Sequence, residues 1–170
     1  MKHILLFLFL TAQAVLARTP GIYPNSRLTP GVVAPVTQAE VLRVGFTQDA
    51  RHVSDKTKWE VLVRYKLAKG AFDQAQLSAL LRLYEIDHFV SLELGGANDI
   101  LNLWPEPYAV MMKGEKLGAR QKDVVETGLH RMMKNGVLTL KEVQAIIRKD
   151  WVRAYHELKA KQPITVPRNP

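Results

Sequence analysis

The sequence predicts an α+β fold, mostly helical, in which one short β hairpin is surrounded by short helices. Three observations carry that expectation. Apolar residues recur at helical spacing behind capping residues at several points along the 170 residues. The stretch Tyr84 to Tyr108, YEIDHFVSLELGGANDILNLWPEPY, has the short apolar runs and double glycine of two strands joined by a turn. Both ends are broken by proline, and nearly half the chain is apolar (47%), which suits one buried core rather than disorder.

At the N-terminus, Lys2 and His3 precede the apolar run Ile4 to Leu10, and small residues follow at Ala12, Ala14 and Ala17. That order is the grammar of a secretory signal over residues 1–17, with cleavage after Ala17 and a secreted or periplasmic product. The run is shorter than the ~20 residues that span a bilayer. No stable membrane insertion is expected after cleavage. The chain has no cysteine, which excludes disulfides and thiolate zinc sites and leaves oxygen and imidazole as the only metal donors.

Residues 18–36 hold Pro20, Pro24, Pro30 and Pro35 with Gly21 and Gly31, a composition expected to form an extended arm. A single domain is expected over 37–161. Thr37 with Glu40 forms a capping box for a helix reaching Val44 and stopped by Gly45. Ser54 opens a helix from Asp55 to Lys69 whose core face would carry Trp59, Leu62, Val63 and Lys66, with Gly70 as its end. Residues 70–81 and 136–147 share one helix grammar, with capping boxes at Asp73/Gln76 and Thr139/Glu142. Between them a strand is expected near Tyr84 to Asp87, paired with a second near Phe89 to Leu92 or Asn102 to Trp104. A helix from Ala119 to Lys134 stops at Asn135-Gly136. A last helix spans Asp150 to Ala160, and 162–170, with three prolines, reads as a loose tail.

The formal net charge is +8 and falls by one with Lys2, so the mature chain suits an anionic partner. Nucleic acid, anionic lipid and cell-wall polymer all meet that description. The adjacent pair Asp87-His88 narrows the choice. A carboxylate beside an imidazole lets one side chain hold a divalent cation while the next takes a proton from water, and hydrolysis of a phosphodiester needs both. Gly95-Gly96 allows a sharp turn, and Asn102 lies close enough along the chain to tie the loop back. Glu85 shares a strand face with Asp87, either as a metal ligand or as a hydrogen-bond acceptor. Asn98 and Asp99 read as turn formers, and Trp104 and Pro105 as packing. No Ser-His-Asp order, phosphate-binding glycine loop or HExxH motif competes.

The central segment resembles the DH…GG…NL signature of HNH endonucleases, and EIDH-x-x-x-LELGG-x-ND-x-x-NLWPEPY is similar to a family of small secreted bacterial HNH-like proteins. Leu28-Thr29-Pro30-Gly31 upstream, and Lys122-Asp123, Glu126, Leu129-His130 and Asp150-Trp151 downstream, follow that family in order. The resemblance implies a ββα-metal hairpin acting as a metal-dependent endonuclease. His88 would be the general base, Asp87 a ligand for Mg2+ or Mn2+, and Asn102 the residue that orients the loop. Arg120, Lys122, Lys113 and Lys116 would grip the backbone of nucleic acid, DNA rather than RNA, with weak sequence preference. The family also needs a third ligand near the start of the following helix, where this chain has Gly118. Asp123, Glu126 and His130 share a helical face and offer either a substitute ligand or a solvated stripe. The competing function is a catalytically inactive module of the same fold that binds a polyanion or a cell-envelope partner.

Overall fold

A computed structural model describes residues 21–167; the expected signal over 1–17 with its cleavage site, residues 18–20 and the last three tail residues lie outside them. The described chain is α+β, with six helices and two small antiparallel hairpins. No helix among these residues is long and apolar enough to cross a membrane.

The capping box at Thr37 forms as expected, but helix α1 is a single turn, Gln38–Val41. Gly45, at φ 84°, ends nothing; it opens a short helix α2, Phe46–Ala50, that the sequence pattern does not announce. Helix α3 starts behind Ser54 and stops early, spanning Asp55–Arg64, because the chain turns left-handed at Lys66 (φ 60°). Its buried face is Trp59, Val61 and Leu62, while Val63 and Lys66 are exposed. Helix α4, Gln74–Leu80, keeps only half its expected box, the Asp73 carboxylate accepting from the Gln76 N–H at 2.9 Å.

Strand β1, Tyr84–His88, pairs antiparallel with β2, Leu103–Pro107, in a register that sets Asp87 opposite Trp104 and His88 opposite Leu103. Of the two positions open for the second strand, the later one forms. The connection 89–102 instead folds as two 3-10 turns, Leu92–Leu94 and Ile100–Asn102. A further hairpin, β3 (Val110–Met112) and β4 (Glu115–Leu117), leads into helix α5, Ala119–Lys134. Helix α6 runs Leu140–Lys159 with a break at Asp150, so the two expected helices are present but joined end to end. The Asp150 carboxylate accepts from the Arg153 N–H at 2.9 Å and caps the second half.

The arm is docked on the core. Ile22 is buried, its carbonyl accepts from Trp151 Nε1 at 3.1 Å, and Val33 bridges Gly96 beside the loop of the β1–β2 hairpin. Proline removes donors without preventing apolar packing, so a proline-rich segment can dock by side chains alone. The tail through residue 167 is likewise held, with the Thr165 N–H donating to Glu157 at 2.9 Å and Ile164 and Val166 packed on the core. That core is centred on Leu94, Trp104, Val125, Leu129, Ile146 and Trp151, and so places α5 and α6 directly behind the hairpin.

Candidate functional site

Strand β1 delivers Asp87 between a closed cluster and an open cavity. On the closed side, Lys122 of α5 is fully buried. Its ammonium donates to Asp87 Oδ2 at 2.5 Å, to the His88 carbonyl at 2.9 Å and to Glu126 one helical turn on, and lies 3.6 Å from Glu106 Oε2 of β2. An ammonium removed from water is tolerated only when oxygens take over its hydrogens, and here three accept them while Glu106 adds a further negative charge nearby. Burial opposes its charge, yet Asp87, Glu126 and Glu106 together hold Lys122 well above the ordinary lysine value. Burial also pushes Asp87 up, but the Lys122 charge and hydrogen bond outweigh it and keep that carboxyl below its ordinary value. One cation does not balance three carboxylates. Burial accordingly raises Glu106 well above the usual range and pushes Glu126 up to about 8.

Three expectations are corrected by this cluster. Lys122 is not an exposed phosphate contact, because its ammonium is enclosed by protein oxygens. Glu126 is neither a solvated stripe residue nor a free ligand, being buried against Lys122. His130 sits 2.9 Å by Nδ1 from the Glu93 carbonyl and lines neither cavity at His88. Asp123 of that helical face lines the open side, the buried Glu126 borders it while bonded to Lys122, and His130 does not reach it.

The open side is a cavity of about 350 Å3 lined by Arg51, Glu85, Asp87, His88, Glu93 and Asp123 among others. His88 closes β1, just past the expected strand end at Asp87, and is 4% exposed. Its Nε2 is 2.9 Å from Asn98 Oδ1, while Asn98 Nδ2 donates to the His52 carbonyl at 3.0 Å. That second bond turns Oδ1 toward the imidazole. An amide oxygen can only accept, so Nε2 carries the proton and Nδ1 is the basic nitrogen. Burial lowers the His88 pKa against the opposing pull of Asn98 and the Asp87 charge, which keeps the ring neutral near pH 7.

Asn102 ties the loop as expected, but not by touching the imidazole. Fully buried, it donates to the Val90 and Ala97 carbonyls at 2.9 and 2.8 Å and accepts from the Val90 N–H at 3.0 Å. The clamp brings Asn98 back to His88, and Asn98 had read as a turn former only. Gly96 makes the closure possible: a Cβ there would lie 1.7 Å from the Val90 carbonyl oxygen. Gly118 is as tightly constrained, with a Cβ falling 2.3 Å from the Tyr108 carbonyl oxygen, so no ligating side chain fits at the head of α5.

No match to a family model, a curated protein or a solved structure is found.

Burial, reinforced by neighbouring acids, raises Glu85, Glu93 and Asp123. Like charges raising one another around a polar cavity suit a cation. Among the described residues no three His, Asp or Glu are grouped closely enough to hold a metal by themselves. Mg2+, however, keeps several waters and asks for one or two protein carboxylates. Asp87, with Glu85 and Asp123 around the same cavity, fits a hydrated ion of that kind and does not fit a dry cage. Lys113, Lys116 and Arg120 are exposed but line neither cavity at His88; Lys113 lies on the turn of the β3–β4 hairpin. The cation that does line both is Arg51, a loop residue with no motif around it to single it out.

Proposed function

We propose that this chain is an exported, metal-dependent HNH-like nuclease that hydrolyses phosphodiester bonds of DNA with weak sequence preference. The observation that carries this reading is His88: neutral, fixed through Nε2 by Asn98, and beside the ionised Asp87 in a polar cavity. His88 Nδ1 takes the proton of the attacking water. Asp87, with Glu85 and Asp123 acting through water, would hold Mg2+ or Mn2+, which when bound neutralises phosphate charge and acidifies water. Lys122 keeps Asp87 ionised, and Asn102 keeps the loop closed so that the tautomer of His88 is set. The charge of the chain favours encounter with a polyanion.

His88→Ala is expected to lower DNA cleavage by about 10²–10⁴-fold while the thermal transition stays cooperative. Asp87→Ala should do the same, and the two losses should not add, because base and cation serve one water. Rates on single- and double-stranded DNA with Mg2+ and Mn2+ decide the matter. A wild-type protein that cuts neither DNA nor RNA with either ion defeats the reading. A non-catalytic module that binds a polyanion or envelope partner then becomes the better account, and one observation already favours it: the cation enclosed by Asp87, Glu106 and Glu126 is the protein's own Lys122.

A further inference from the structure

We propose that the cavity between Arg51 and Tyr108 is a subsite for one unpaired nucleotide of the substrate strand, with Arg51 on its phosphate and the Tyr108 ring stacked on its base. The inference rests on the nuclease reading and names what that site recognises. Two cavities meet at His88: both are lined by Arg51, Glu85, Asp87 and His88. The groove therefore does not end at the base. It continues along β1 into a space of about 430 Å3 that reaches Tyr84 and Tyr108, within the roughly 300–1,000 Å3 typical of small-ligand sites.

Tyr108 has the attributes of a stacking platform. It follows directly on β2, is 44% exposed, belongs to neither buried cluster, and its hydroxyl donates to the Leu81 carbonyl at 3.4 Å, which limits how the ring lies. A half-exposed aromatic ring beside a cleavage site suits base stacking, which tolerates any sequence. Arg51 supplies the phosphate contact. Lys58, the other cation in this cavity, is committed to Asp55 at 2.8 Å, whereas Arg51 has no ion-pair partner among the described residues. Its charge nevertheless acts on Glu85, His88, Glu93 and Asp123, so it stands close to all of them. A guanidinium fork binds phosphate in two places at once. A base held in a duplex cannot reach such a ring without leaving its stack, so single strands and unpaired stretches should be preferred.

The test is fluorescence anisotropy of a labelled thymidine oligonucleotide with the full chain in EDTA, where binding is read without cleavage. Tyr108→Ala should weaken binding by about tenfold or more, while Tyr108→Phe stays within about twofold, since stacking needs the ring and not the hydroxyl. On an oligonucleotide of abasic sugars Tyr108→Ala should change little, and Arg51→Gln should weaken both. Equal losses on abasic and thymidine strands, no loss with Tyr108→Ala, or no binding of the strand at all would overturn the subsite. Oligonucleotide binding with this pattern, but no cleavage when Mg2+ is restored, would support the subsite and defeat the nuclease reading. Cleavage with unchanged binding by Tyr108→Ala would do the reverse.

Discussion

The two sides of Asp87 use the same residue types to opposite ends. Toward α5, Lys122, Glu106 and Glu126 are buried and supply their own counter-charge. Toward the cavities, His88, Glu85, Asp123 and Arg51 line space open to a ligand, with more negative than positive charge. Charges cut off from water must be matched inside the protein, so the closed side acts on folding. Charges bordering a cavity can be matched by what binds there, so the open side acts on recognition and chemistry.

The largest expected effect comes from breaking the closed side. Lys122→Met keeps the length and apolar stem of the side chain but leaves three carboxyls without a cation, and removing one partner of a buried ion pair costs about 3–5 kcal/mol. Urea denaturation at pH 7 should show the midpoint falling accordingly. A midpoint within error of the parent would mean that the cluster is hydrated, and the contrast between the two sides would collapse.

The next effect is a pH dependence that belongs to the closed side. Glu126 has an ordinary value of 4.5 when unfolded and is pushed up by burial to about 8 in the fold. An acid raised in this way binds its proton more tightly when folded. Its contribution is complete below about pH 4.5 and is lost as pH rises through about 8, with a slope of at most ~1.4 kcal/mol per pH unit. Glu126→Gln preserves an acceptor for Lys122 and removes the titration. The variant should therefore gain on the parent steadily between pH 5 and 8 in urea midpoints. Parallel curves would place the titrating proton on Glu106 instead.

How much of this was legible in the sequence depends on how local the cause is. Asp87, His88, the glycine turn and the loop-closing role of Asn102 sit within one short segment, and the residue types alone suffice to bring them together. Lys122 could not be read that way. Its neighbour Asp87 is 35 positions away, and burial at that point follows from how α5 packs behind β1. The same holds for Arg51, which lies in an irregular stretch and meets His88 only through the fold. The early end of α3 has no sequence signal, because Lys66 adopts a left-handed conformation without a glycine to mark it. The docking of the arm is not legible either, since its prolines argue against hydrogen bonding but say nothing of where Ile22 and Val33 pack.

The smallest effects separate the two asparagines of the loop, Asn102, whose closing role the sequence suggests, and Asn98, which it suggests only as a turn former. Asn102 is fully buried and makes three bonds to loop backbone, whereas Asn98 is exposed and bonds His88 and the His52 carbonyl. Asn102→Ala strands a buried N–H and should cost about 1–3 kcal/mol. Asn98→Ala exposes its partners to solvent that can replace it, and should change stability by less than about 0.5 kcal/mol. Its cost appears in the chemistry. Without the Oδ1 acceptor, Nε2 is no longer selected as the protonated nitrogen, so fewer molecules present Nδ1 as the base, and cleavage should fall by about tenfold. Urea midpoints set beside initial rates give both quantities for both variants. If Asn98→Ala loses stability and keeps its rate, His88 is a structural residue held by a surface hydrogen bond, and the cavity in front of it is not where bonds are cut.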